Sequence, residues 1–170
     1  YSDRSMRILQ VHKYFYRRAG AEAVFLDTII GLRSRGHEVC EFSVANPKNL
    51  PSEYANYFIN IEPELTGVKF SAKTSWQIFR HLLRSKEVEN KLRALVLAAE
   101  PQIAHLHNVS RQMSASAFLV LKKLGIPMVM TVHDVQPMCP NHRMIARHAL
   151  CERCYRHKYY NCARFKCVDN

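Results

Sequence analysis

The chain has 170 residues, a formal net charge of +11, 48% hydrophobic residues and 23% charged residues. This composition is typical of a globular protein and argues against intrinsic disorder. The sequence has no uncharged apolar run of about 18 residues, so it predicts no transmembrane helix, and its first apolar run is too short for a signal peptide. Met6 resembles a native start, so residues 1–5 are interpreted as a remnant outside the fold.

The positive charge is concentrated near the carboxyl terminus. Residues 139–170 hold seven Lys or Arg against two Asp or Glu, a local balance of 7 − 2 = +5. Such a segment fits a nucleic acid, an anionic membrane surface or a phosphorylated substrate, and the charge alone does not choose among them.

Hydrophobic periodicity predicts strands that alternate with helices, and Gly36 is expected to end the first helix. A strand–helix–strand unit implies a parallel sheet with right-handed crossovers. The sequence therefore predicts an α/β fold with an open, doubly wound, mostly parallel sheet of the Rossmann-like type. The predicted order is strand 7–11, helix 23–35, strand 37–44, an irregular stretch 46–72, helix 73–99, strand 102–107, helix 114–123 and strand 127–133. The last strand is almost entirely apolar, as expected of a buried parallel strand.

Ligands of doubly wound sheets bind beyond the carboxyl ends of the strands, so the residues that follow each strand are candidates. In the first loop, Gly20 precedes a helix and would let backbone N–H groups face an anion. Arg17 and Arg18 could bind the same phosphate. The alternative is an ordinary turn at Gly20, with the charge of Glu22 favouring the first helical turn.

Two further strands end in polar residues. His105 and His107 share one face of a strand that ends at Asn108, and the pair suits either packing or a metal ion. His133 and Asp134 follow the most apolar strand abruptly, which favours the rim of an active site. The alternative is a hydrogen-bonded strand end, with Asp134 capping the next turn.

Cysteines cluster after these strands, whereas Cys40 stands alone and is expected in the core. The Cys-x2-Cys knuckle and the second close pair predict a structural zinc site, in which His142, His148 or His157 could replace a thiolate. Free thiols or disulfides remain alternatives, as does a zinc knuckle that binds nucleic acid. The candidate ligands are Cys139, Cys151, Cys154, Cys162 and Cys167.

Six motifs in this order resemble the family 4 retaining glycosyltransferases of the GT-B fold. Gly20-Ala21-Glu22 is similar to their glycine-rich loop, with Ala19 where the first Gly usually stands. The other motifs are the opening strand 6–11, the helix end 32–39, the strand 101–108 with His-x-His, the strand 125–134 ending in Thr-x-His-Asp, and Cys139-Pro140, which resembles a cysteine-bearing loop of one subset.

The resemblance implies the N-terminal half of a GT-B fold, with an acceptor-side domain over 6–138 and a cysteine-rich basic segment over 139–170. It implies that His133 contacts the donor sugar near the reacting carbon. Gly20 and its neighbours would approach the donor phosphate or the acceptor, and His107 and Asn108 would line the acceptor side. The substrate-binding candidates are Gly20, Glu22, His107, Asn108, Asp134, Arg17 and Arg18.

The same resemblance implies a nucleotide-sugar donor, a glycan or lipid-linked acceptor and no cofactor for the transfer. Only 170 − 134 = 36 residues follow Asp134, too few for a donor domain, so the chain is expected to be inactive alone. The implied role is in polysaccharide biosynthesis in the cytoplasm, and contact with the inner face of the membrane is compatible with it. The alternative function is a non-catalytic module whose zinc knuckle and basic surface bind nucleic acid.

Overall fold

The structure is a computed structural model that describes residues 5–60, 84–107, 109, 113–135, 138–141, 143–146 and 148–167. The chain divides into two compact units, Tyr1–Thr131 and Val132–Asn170. Within the described part of the chain, no helix is long and apolar enough to cross a membrane.

The first unit is built on a four-stranded parallel sheet. Its strands are β1 (Arg7–His12), β2 (Glu38–Phe42), β3 (Ile103–His107) and β4 (Met128–Thr131). They lie in the order β2-β1-β3-β4, and every neighbouring pair is parallel. A helix lies in each connection between consecutive strands. The predicted α/β, Rossmann-like fold is therefore confirmed.

Within the described residues, three helices connect these strands: α1 (Gly20–Ser34), α2 (Lys86–Ala99) and α3 (Ser116–Lys123). A short 3-10 helix covers Ala55–Tyr57. Gly36 follows the end of α1, as predicted, with a φ of +81° that glycine adopts with little strain.

The predicted helix boundaries differ from the observed ones by one to three residues: the helix predicted over 23–35 is observed as Gly20–Ser34, and the helix predicted over 114–123 as Ser116–Lys123. Helix α1 begins at Gly20 rather than at residue 23, because the Glu22 carboxylate accepts the Ala19 N–H at 3.0 Å and closes an earlier first turn. The predicted helix 73–99 is confirmed over Lys86–Ala99; residues 84 and 85 are not helical, since Ser85 is the extended N-cap, and 73–83 lies outside the described residues.

The two faces of the sheet differ in chemistry. Successive strand residues point to opposite faces, so Val39 packs in the α1 cluster while Cys40 packs in the α2 and α3 cluster. The α2 and α3 side of the strands is apolar. The α1 side buries polar side chains, namely Gln10, His12, Glu41 and His107.

The prediction that strand 127–133 is buried was wrong. Strand β4 ends at Thr131, and Met128, Val129 and Met130 are 39%, 51% and 39% exposed. The physical reason is position: among the described residues, β4 lies at the edge of the sheet and has β3 as its only neighbouring strand. The apolar sequence of β4 suits a central strand, but the other described residues bury only part of its surface.

The second unit contains little regular structure in its described residues. A two-stranded antiparallel ribbon pairs β5 (Ile145–Ala146) with β6 (Ala149–Leu150). A 3-10 turn at Tyr155–His157 precedes the one-turn helix α4 (Tyr160–Arg164).

Glu41 ties β2 to α1 and gives a testable pH dependence. The carboxylate is 1% exposed, pairs with Arg33 and accepts the Ser52 hydroxyl at 2.8 Å. Burial raises the pKa of Glu41, and the bonds to Ser52 and Arg33 oppose this. Because the pKa of Glu41 is higher in the folded state than in the unfolded state, the protonated carboxyl stabilises the fold at pH values below its unfolded pKa. This contribution is lost as the pH rises through the folded pKa.

Glu41→Gln is therefore expected to gain stability relative to the wild type as pH rises from about 4 to 7. Urea unfolding at several pH values measures the difference, and the exposed Glu53→Gln variant serves as the control. A difference that does not change with pH would contradict the assignment.

Candidate functional site

The carboxyl edge of the sheet carries polar side chains on three neighbouring strands. His12, His107 and Thr131 end β1, β3 and β4, and the strand register places them side by side. The rings of His12 and His107 lie 6.3 Å apart in an edge-to-face arrangement. Since ligands of such sheets bind beyond this edge, these residues mark the candidate site.

His105 links the strands behind this edge through side-chain hydrogen bonds. Its Nε2 lies 2.8 Å from Thr131 Oγ1, and its Nδ1 lies 3.2 Å from His107 Nε2. The Gln10 amide reaches the same Nδ1 at 3.3 Å. His105 and His107 therefore share a face, as predicted, and their contacts are those of a hydrogen-bonded polar layer.

Phe25 of α1 packs against the two histidines at the strand ends, His12 and His107. It is fully buried. Its ring stacks on His12 at 4.9 Å and meets the edge of His107 at 5.4 Å. Phe15 contacts Phe25 edge to face, with the two ring centroids 6.2 Å apart. Both histidine rings are thus packed against aromatic side chains.

Glu22 connects the histidines to the start of α1. Its carboxylate is buried, with one oxygen 3.8 Å from His12 Nε2 and the other bound to the Ala19 N–H. The N-cap residue, Ala19, has no side-chain oxygen to offer the first turn. The N–H groups of Gly20 and Ala21 are therefore left without a side-chain cap, at the helix end that favours anions.

The basic side chains of the first loop have partners of their own. Arg17 pairs with Asp27 of α1 at 2.6 Å, and both side chains are more than half exposed. Lys13 and Arg18 lie 5.1 and 4.9 Å from the centre of the Tyr14 ring. Phosphate binding by Arg17 and Arg18 stays a prediction, and it would require the exposed Arg17 to exchange one anionic partner for another.

The structure brings some of the predicted site residues together and leaves others apart. One edge of the sheet holds three of the predicted residues, which contacts of His12 and Phe25 link to each other: Gly20, Glu22 and His107. His107 is fully buried, so it lies beneath the surface of that edge, and its contact with an acceptor stays a prediction.

Three other predicted positions cannot be placed at this edge. Asn108 lies outside the described residues. His133 and Asp134 belong to the second unit, where they are half-buried and exposed.

Three residues of the site were missed by the sequence reasoning. His12, Gln10 and Thr131 contribute to the polar layer, yet in the first loop only Arg17, Arg18, Gly20 and Glu22 were singled out, and at the other strand ends only residues 107–108 and 133–134. The signal was present, because polar Gln10 and His12 alternate with apolar Leu9 and Val11 in the first strand. Alternation of this kind predicts two chemically different faces.

The cysteines do not form a ready-made metal site. In the described ranges, no group of three or more His, Cys, Asp or Glu side chains is placed to hold a metal ion. The structural zinc site over Cys139, Cys151, Cys154, Cys162 and Cys167 thus stays a prediction. Cys40 is a buried core residue, as predicted, and burial raises its pKa to about 12.

The fold and its polar carboxyl edge define a Rossmann-like α/β domain. Residues 18–170 match the family model described as Glycosyltransferase Family 4, so the chain belongs to that family. The resemblance to glycosyltransferase family 4 is thereby confirmed, and the domain is a glycosyltransferase domain, whereas the retaining mechanism, the GT-B fold of the whole protein and the cysteine-bearing subset stay predictions. A comparison with curated protein sequences gives no match.

Proposed function

We propose that this chain is the acceptor-side half of a retaining GT-B glycosyltransferase. It would bind a glycan or lipid-linked acceptor, and a separate donor domain would supply the nucleotide-sugar. The observation that carries the proposal is the start of α1 at Gly20, where Ala19 offers no side-chain cap to the first-turn N–H groups and which adjoins the polar row of His12, His107 and Thr131. A helix start beside the carboxyl edge of a parallel sheet suits a phosphate-bearing ligand.

The chemistry assigned to the edge is positioning and charge stabilisation. The leaving nucleoside diphosphate gains negative charge as the glycosidic bond breaks, and in this proposal the N–H groups of Gly20 and Ala21 would face such charge. The buried layer behind them keeps this edge rigid, since Glu22 and His12 fix the start of α1 relative to β1. No step requires a metal ion.

His133 is the proposed catalytic residue, because it follows β4 by two residues and matches the Thr-x-His-Asp motif. It would contact the donor sugar near the reacting carbon, with Asp134 beside it. Arg17, Arg18, His107 and Asn108 complete the proposed substrate contacts. A place in polysaccharide synthesis on the cytoplasmic side, with contact to the membrane, belongs to the same proposal.

His133→Ala is expected to lower kcat for sugar transfer by about 100-fold in the complete natural protein, because a preorganised contact in the transition state is lost. The assay follows release of nucleoside diphosphate from a panel of nucleotide-sugars in the presence of acceptor. His157→Ala is the control, since His157 is exposed and contacts Tyr159 within the same unit. Equal loss in both variants, or no loss in His133→Ala, would remove His133 from the catalytic role.

A further inference from the structure

The described residues of the second unit carry an excess of exposed positive charge. They include six basic and two acidic side chains, a balance of 6 − 2 = +4, and all eight are exposed. A surface with this charge attracts anionic partners. The basic residues are Arg143, Arg153, Arg156, Lys158, Arg164 and Lys166, and the acidic ones are Asp134 and Glu152.

The ribbon of β5 and β6 presents a pair of aliphatic side chains to solvent. Ile145 and Leu150 lie directly opposite each other in the antiparallel pairing, so their side chains share one face of the ribbon. They are 54% and 72% exposed. The ribbon therefore does not use its apolar face to build a core within the described part of the unit.

Aromatic rings and arginines lie together in the segment that follows the ribbon. Tyr155 is 71% exposed, and the Arg156 guanidinium lies 5.7 Å from the centre of its ring. Phe165 is also exposed, and Arg153 and Arg164 lie 4.3 and 5.8 Å from its ring centre. Each of these two rings thus has a cation beside its apolar surface.

Side-chain amides connect the ribbon to this segment. The Asn141 amide donates to the Cys167 carbonyl at 2.6 Å and to the Ile145 carbonyl at 3.4 Å, which joins β5 to the turn after α4. The Asn161 amide donates to the Arg153 carbonyl at 2.7 Å. The aliphatic pair and the aromatic and basic residues therefore belong to one hydrogen-bonded part of the unit.

We propose that the second unit binds the surface of an anionic phospholipid bilayer. Ile145 and Leu150 enter the boundary between headgroups and acyl chains, and Tyr155 lies at the level of the headgroups, where aromatic rings concentrate. The neighbouring arginines donate to lipid phosphates. The inference names the surface that makes the membrane contact and rests on that part of the proposed function.

A bilayer fits this surface better than a nucleic acid does. Single-stranded nucleic acids bind by stacking their bases on aromatic faces, whereas Arg153 already lies over the ring of Phe165. The aliphatic pair of Ile145 and Leu150 has no aromatic face for a base. The same pair gains free energy when it leaves water for the apolar boundary of a bilayer.

The test is co-sedimentation of the complete protein with unilamellar vesicles, made of phosphatidylcholine alone or with about 30% phosphatidylglycerol. Binding to the anionic vesicles is expected to be at least about 10-fold tighter, and to weaken as the salt concentration rises. Equal binding to both kinds of vesicle, or binding to neither, would overturn the proposal. Binding of single-stranded RNA without binding of vesicles would overturn it in favour of a nucleic acid.

A pair of double variants locates the charge. Arg156→Gln with Lys158→Gln is expected to weaken binding to the anionic vesicles by about 25-fold, because two positive charges at the lipid surface are lost. Lys86→Gln with Arg93→Gln is the matched control, since it removes the same charge from exposed positions of α2. The control is expected to change binding by less than about 2-fold. Equal weakening by both pairs would show attraction by net charge alone and overturn the assignment of this surface.

A second pair tests the aliphatic contact. Leu150→Ser is expected to weaken binding to the anionic vesicles by about 10-fold, because the leucine side chain no longer leaves water. Leu97→Ser is the control, since Leu97 is similarly exposed on α2. Wild-type binding by Leu150→Ser would contradict insertion of the ribbon. Vesicle binding is measured without sugar transfer, so this proposal and the transferase proposal can fail separately.

Discussion

Gly20→Val is expected to lower the rate of sugar transfer by the complete protein by about 100-fold, with little change in Tm. A Cβ at Gly20 would meet nothing within 4 Å, so the fold itself has room for the side chain. The methyl groups would instead occupy the space in front of the first-turn N–H groups, which the proposal assigns to the phosphate of the donor. The same release assay measures the effect.

The matched control is Gly31→Ala on the same helix. A Cβ there makes an ordinary contact of 3.5 Å with Arg35 Nη1. Replacing an interior helical glycine by alanine is expected to add about 0.5–1 kcal/mol of stability and to leave transfer unchanged. Wild-type transfer by Gly20→Val would contradict a ligand at the start of α1.

Phe25→Ala is expected to lower the free energy of unfolding by about 3–5 kcal/mol, the largest stability effect that we expect from a single substitution here. Phe25 is fully buried, and its removal leaves a cavity above His12 and His107. The loss of packing also frees both imidazole rings, so transfer should fall with stability. Chemical denaturation measures the change.

Phe25→Leu should retain most of the packing and cost less than Phe25→Ala, because the remaining cavity is smaller. The adjacent Val24 is 47% exposed, so Val24→Ala should change stability by no more than about 0.5 kcal/mol. A loss below about 1 kcal/mol in Phe25→Ala would show that Phe25 does not support the polar layer as described.

The sheet was predictable because each strand carries a clear hydrophobic pattern between turn residues. Gly36 predicted the end of α1. His107, the polar residue at the end of the strand that also holds His105, predicted part of the site. The polar face as a whole was also encoded, since the residues facing α1 alternate with apolar ones in β1 and β3. It was missed because each strand end was considered separately.

Other features depend on tertiary contacts that a single sequence does not specify. The apolar sequence of β4 predicts burial, but its edge position in the described sheet leaves Val129 half exposed. The early start of α1 depends on the Glu22 side chain reaching back to Ala19, and helix periodicity carries no information about that bond. The stacking of Phe25 on His12 likewise depends on how α1 docks against β1.

The most direct test of the central claim is whether the complete protein consumes a nucleotide-sugar. It would be incubated with each of several nucleotide-sugars and a membrane or glycan acceptor extract, and the released nucleoside diphosphate would be measured. We expect acceptor-dependent release with one class of donor. No release with any donor, together with salt-sensitive binding of DNA or RNA by the purified protein, would contradict the account and favour the nucleic-acid module.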